Sequence, residues 1–253
     1  MRRYYYVVNA FPSLVLGKKP EMSYIEAREM AFLNLAPADA MQIIDLQRPI
    51  DIRNIRALWL NQEFDSRGSL SEKDLEEALL VQDGLPLFVI DFLQRYDSLE
   101  ERLRYFSSLY ASLYSQNLKG FLADYYKLER EVRLVFTALR AKASGRSLLQ
   151  ELQFENPTDP FVAEILAQKD SEEFLVPQEY EALKNVFLEN RSKPRDLHLA
   201  LLTFRISRIR ELESREPFGM DQVLGYLARL LLVEDWQGQD EKQGRFVLEQ
   251  KIG

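Results

Sequence analysis

Cysteine is missing from this chain of 253 residues, and histidine occurs once, at His198. Disulfides, thiol chemistry and zinc clusters are thereby excluded, together with His-rich metal sites. A cysteine-free composition fits a reducing cytosol. Glycine is scarce, at 10 residues, well under the ~7% of average usage, which argues against turn-rich β architectures and glycine-rich phosphate loops. Positive charge is in deficit: 33 basic residues face 40 acidic ones, and the net charge of -7 has the wrong sign for a nucleic-acid binder. No stretch approaches the ~20 apolar residues that a membrane span needs. The opening MRRYYYVVNAF is interrupted by Asn9 and Pro12 too soon for a secretory apolar segment. Walker loops, dinucleotide fingerprints, HExxH helices and GxSxG elbows are all missing from the sequence.

What is present is helical periodicity. From Asn117 to Ser144 the apolar residues Leu118, Phe121, Leu122, Tyr125, Leu128, Val132, Val135, Phe136 and Leu139 recur at three- and four-residue steps, the period of one helix face. Around this central helix the punctuation predicts others. Ser23 with Glu26 is a capping box that opens a helix to about Asn34. Pro37 starts a helix to about Gln47, and another follows Pro49. Ser71 with Asp74 caps a helix ending near Gln82, and Ser98 with Glu101 caps one that reaches about Ser115. Pro160 sits at the start of a short helix, Pro177 opens one of about four turns, and Pro194 opens one to about Ser214. After the turn Glu216–Gly219, a strong helix runs from Met220 to about Glu234, with a last amphipathic piece at Arg245–Gln250. Only Tyr4–Leu16 has strand composition, and it reads as an extended stretch or short helix packing its aromatics on a neighbour.

The expectation is therefore an all-α, irregular multi-helix array. It forms either one unit, 1–253, or two lobes, 1–156 and 157–253, divided at the polar Asn156–Pro160 stretch. No period of 30 to 50 residues supports a regular repeat array.

The informative residues are charges set into apolar stripes. Glu129 falls within roughly 20° of Leu118 and Phe136 at ~100° per residue. Buried, it needs a partner, either Arg133 one turn on or Arg205 on the helix after Pro194. Glu129, Arg133, Arg140, His198 and Arg205 are thus the candidate structural charge network. His198 reads as a buried, hydrogen-bonded histidine, since no Ser, Cys or Asp partner stands at a diagnostic spacing. The acidic pairs Glu76-Glu77, Glu100-Glu101 and Glu172-Glu173 read as solvated helix surface. An enzyme reading needs His198 or Glu129 to line an open pocket.

Three blocks carry a resemblance: YYYVVNAFPSLVLG (Tyr4–Gly17), FLADYYKLEREVRLVFTALRAKASG (Phe121–Gly145) and FGMDQVLGYLARLLLVEDWQGQDEKQGRFV (Phe218–Val247). They resemble a bacterial family of unknown function, known from chlamydiae and Bacteroidetes, whose genes sit among those of a V/A-type ATP synthase. The pattern falls on Glu129, Arg130, Ala138, Leu139 and Arg140, and on Tyr226, Leu227, Trp236 and Gly244. Such proteins look like the ATP synthase C subunit, the helical socket joining the central rotor shaft to the membrane ring. The resemblance implies a non-catalytic coupling subunit without cofactor, and a cytoplasmic chain held at the membrane through its complex. Its partners would be the central-stalk subunits and the rotor ring, with neither nucleic acid nor a homo-oligomer. The residues leave open a freestanding helical adaptor or regulatory module.

Overall fold

The computed structural model describes residues 2–213 and 217–252, with side chains as far as 238. Among these residues there are thirteen α-helices and no strand, so the fold is all-α. The chain divides into two units, each assembled from separated segments: 1–43, 119–125 and 181–253 in the first, 44–118 and 126–180 in the second. The division does not fall at 156/157. The Asn156–Pro160 stretch looks like a linker in composition, but the cluster described below fastens it to the second unit.

In the first unit, α1 (Tyr5–Ala10) and α2 (Tyr24–Asn34) pack on α13 (Met220–Ile252), and α12 (Pro194–Glu213) lies between α13 and α11 (Glu181–Asn190). Helix α13 is buried all round from Val223 to Val233, apart from the partly exposed Arg229, and forms the core. Its backbone continues well past Glu234; the side chains of Arg245–Gln250, like the start of the turn at Glu216, lie outside the described residues. Of the Tyr4–Leu16 stretch, Tyr5–Ala10 is a short helix, and the chain turns extended at Phe11. Phe11 stacks on Tyr226 with centroids 4.0 Å apart, and Tyr4 N–H donates to the Phe218 carbonyl, while Tyr6 faces outward. The capping box of α2 forms as expected, and Glu234 of α13 adds an acceptor for the Tyr24 N–H at 2.7 Å.

The second unit holds most of α3 (Pro37–Trp59) and α8 (Phe121–Ala143), together with α4 (Glu72–Val81), α5 (Leu87–Arg95), α6 (Leu99–Arg104), α7 (Ser107–Tyr114), α9 (Leu148–Glu151) and α10 (Pro160–Leu166). Two sequence expectations fail here for visible reasons. Helix α3 runs straight through Pro49. A proline displaces the carbonyl four residues earlier; that carbonyl, of Asp45, receives the hydroxyl of buried Tyr126 at 2.5 Å. The helix expected from Ser98 to Ser115 is instead broken at Tyr105, whose ring stacks on Tyr96 at 4.6 Å and meets Phe154 edge-on. The expected four-turn helix after Pro177 begins as a 3₁₀ turn, Gln178–Tyr180, before α11.

Candidate functional site

The densest concentration of buried charge lies along α8. Its buried positions, among them Phe121, Tyr126, Leu128, Val132, Leu134 and Ala138, cover every side of the helix rather than one stripe. That broader burial corrects the choice of charge. Glu129 is only half-buried, and the buried carboxylates of this region are Glu131 and Glu155.

Glu155, just after α9, keeps 5% of its side chain exposed and receives two guanidiniums from α8. Arg130 Nε donates to Glu155 Oε2 at 3.2 Å, and Arg133 donates to Glu155 Oε1. Arg130 Nη1 also donates to Asp159 Oδ2 at 3.0 Å. The other oxygen of Asp159 accepts the N–H groups of Phe161 and Val162, so one carboxylate caps α10 and anchors Arg130 together. Burial pushes the Asp159 carboxyl up, but the Val162 N–H and the Arg130 guanidinium outweigh it and hold it below the usual carboxylate range. Arg133 lies over the Tyr114 ring at 5.5 Å. Two cations and two anions thus neutralise one another and fix the 155–160 segment to α8.

Glu131 is served differently. The Tyr180 hydroxyl donates to Glu131 Oε2 at 2.5 Å, and the nearest cation is Lys127, at 3.9 Å. Burial therefore drives its carboxyl above the ordinary glutamate range, more strongly than the Tyr180 bond and Lys127 pull it down, and the Glu179 charge adds to the rise.

A second polar construction fastens the loop Asp65–Ser69 to α3. The Gln47 amide donates to the Arg67 and Gly68 carbonyls, Asn54 exchanges two hydrogen bonds with the Asp65 backbone, and Asp51 accepts the N–H and hydroxyl of Ser69. The loop approaches so closely that a Cβ on Gly68 would stand 2.5 Å from Asp51 Oδ1. Gln47 and Asn54 are fully buried for this purpose. Apart from the buried Gln and Asn on an apolar face, nothing in the sequence announces the arrangement.

In the first unit, Glu213 at the end of α12 forms a two-pronged pair with Arg229 of α13, with Nε to Oε1 at 2.5 Å and Nη2 to Oε2 at 2.9 Å. Gly225 makes room: a Cβ there would overlap the Glu213 side chain. Burial still raises the Glu213 carboxyl, against the pull of Arg229 and Arg210. The pair floors a cleft of about 240 Å³ whose wall includes Phe11, Ser13, Gln222 and Tyr226; neither His198 nor Glu129 lines it.

The five sequence candidates divide between these settings. Arg133 joins the Glu155 cluster, and Arg140 is exposed over the Phe136 ring at 5.5 Å. His198 and Arg205 sit on α12 in the first unit. His198 stacks on Trp236, with its Nε2 buried and without a hydrogen-bond partner among the described residues, where a hydrogen-bonded ring was expected. Burial, then the Arg205 charge, lowers its pKa against the pull of Asp235, so the ring is neutral near pH 7. Among the described residues no group of three His, Asp or Glu side chains is placed to hold a metal ion.

No solved structure matches this chain. Relatives do: an uncharacterised protein of Chlamydia trachomatis serovar D is 25% identical over 237 residues, covering 90% of this chain and 89% of its own. An uncharacterised protein of Chlamydia pneumoniae is 27% identical over 237 residues with the same coverage, and one of Chlamydia muridarum is 26% identical over 238 residues, covering 90% of each chain. Residues 1–252 match the family described as "Protein of unknown function (DUF2764)", and the chain belongs to that family.

Proposed function

We propose that this chain is a non-catalytic, protein-binding subunit of a V/A-type ATP synthase, joining the central rotor stalk to the membrane ring in the manner of a C subunit. The observation that carries the binding role is the distribution of side chains. Buried charges close on one another inside each unit, as at Glu155 and Glu213, while large aliphatic side chains stand exposed at helix ends, among them Leu33, Met41, Leu80, Val81 and Leu87. The ATP synthase partnership rests on the resemblance of the three sequence blocks, and the chlamydial relatives are in keeping with it. Such a subunit needs no cofactor and meets the membrane only through its complex; among the described residues no helix is long and apolar enough to cross a membrane.

The test is affinity purification from the native cell under mild, low-salt conditions. Catalytic and stalk subunits recovered in near-equal amounts support the proposal. Recovery of the chain alone favours a freestanding helical adaptor.

A further inference from the structure

The turn between α4 and α5 carries the most exposed group of aliphatic side chains in the second unit: Leu80 is 84% exposed, Val81 60% and Leu87 79%. The turn itself is tightly made, with Gln82 and Gly84 both in the left-handed region, and it brings the end of one helix next to the start of the other. Leu80 and Val81 close α4, and Leu87 opens α5.

Each of these side chains has an exposed carboxylate one turn along its own helix. Glu76 and Glu77 lie four residues before Leu80 and Val81, Asp91 lies four after Leu87, and Asp83 stands in the turn. Between Glu72 and Asp97 there are seven carboxylates and two cations, Lys73 and Arg95. This short stretch therefore carries a net charge of -5 out of the -7 of the whole chain.

We infer that the α4–α5 turn is a docking surface for a basic amphipathic helix of a partner protein. The inference rests on the reading of the chain as a protein-binding subunit, but not on the identity of the complex. Three exposed aliphatic side chains supply the apolar centre, and the surrounding carboxylates select lysine and arginine at its edge. Charge decides against the other occupants. A second copy would set acidic rim against acidic rim, and an anionic lipid surface or nucleic acid would be repelled by the same carboxylates. A helix with leucines on one face and lysines flanking them satisfies both parts of the surface.

The test uses the full chain and two labelled peptides of about 18 residues, long enough for five helical turns. They have identical Leu/Lys/Ala composition, one with its leucines on a single helix face and one scrambled. Binding is followed by fluorescence anisotropy, and hydrogen exchange locates the contact. The amphipathic peptide should bind, protect residues 76–91, and weaken with added salt. Leu80→Gln with Leu87→Gln, which leaves the charge unchanged, should weaken it about tenfold or more. Glu76→Lys with Glu77→Lys should weaken it and flatten the salt dependence. Leu188→Gln, an exposed leucine in the other unit, should leave it unchanged. The inference is overturned if both peptides bind alike, if the Leu80/Leu87 variant binds as well as the native chain, or if sedimentation shows a dimer that this variant dissolves. Should the peptide bind while native-cell purification recovers no ATP synthase, the surface stands and the complex is a different one. If the Leu80/Leu87 variant recovers the synthase as well as the native chain does, the surface is wrong and the complex stands.

Discussion

The Glu155 cluster in one unit and the Glu213–Arg229 pair in the other bury similar charges by different means. Glu155 is met by two guanidiniums, and its neighbour Asp159 adds two backbone N–H donors to the same construction, which keeps Asp159 acidic. Glu213 has one bidentate arginine, and burial raises its carboxyl in spite of that partner. Burial and compensation act together: Asp159 is the more exposed of the two titrating carboxylates as well as the better supplied with donors, and Glu213 is deeper with one cation. Glu131, with a phenol and a distant lysine, extends the series to its weakly compensated end.

Breaking the best-compensated site should cost most. Glu155→Ala leaves Arg130 and Arg133 facing each other without their shared partner, and chemical denaturation should register a loss of about 3–5 kcal/mol. Glu129→Ala should cost clearly less, because its side chain is only half-buried. If the two losses are equal, the assignment of the buried charge is wrong.

At the single pair, Gly225→Ala places a methyl where the Glu213 side chain crosses α13. Alanine ordinarily stabilises a helix interior relative to glycine, yet here a loss of about 1–3 kcal/mol is expected from overpacking. A stabilised variant would mean that Glu213 does not pack against this helix.

The smaller effect at Tyr126 bears on what the sequence makes legible. Tyr126→Phe removes the hydroxyl that serves the Asp45 carbonyl and should cost about 1–2 kcal/mol. Local signals were readable because their partners are local: the capping boxes at Ser23 and Ser98, the Ser71 cap, and the prolines that begin α3, α10 and α12. The continuity of α3 was not, because the group that compensates Pro49 lies on α8, far along the chain. The break at Tyr105 likewise depends on stacking against Tyr96 and Phe154. Glu131 is not legible in the sequence, because the apolar stripe of α8 leaves it on the opposite side, whereas the helix is buried on all sides. Glycine at 225 had no reading without Glu213 beside it.

Glu131 gives the finest distinction, through pH. Its folded-state carboxyl is raised, so its contribution to stability is full below the ordinary glutamate range and is lost as pH rises through the raised value. Glu131→Gln keeps an acceptor for Tyr180 without a charge. The variant should gain on the native chain as denaturation is repeated at increasing pH above the ordinary glutamate range, and a difference independent of pH would show that Glu131 is not buried as a proton-binding group.

The functional claim meets its most direct test when the native chain and the Leu80→Gln/Leu87→Gln variant are purified side by side by affinity from the native cell. The expected result is catalytic and stalk subunits of the ATP synthase with the native chain, and their loss with the variant. The contradicting result is the chain alone in both preparations.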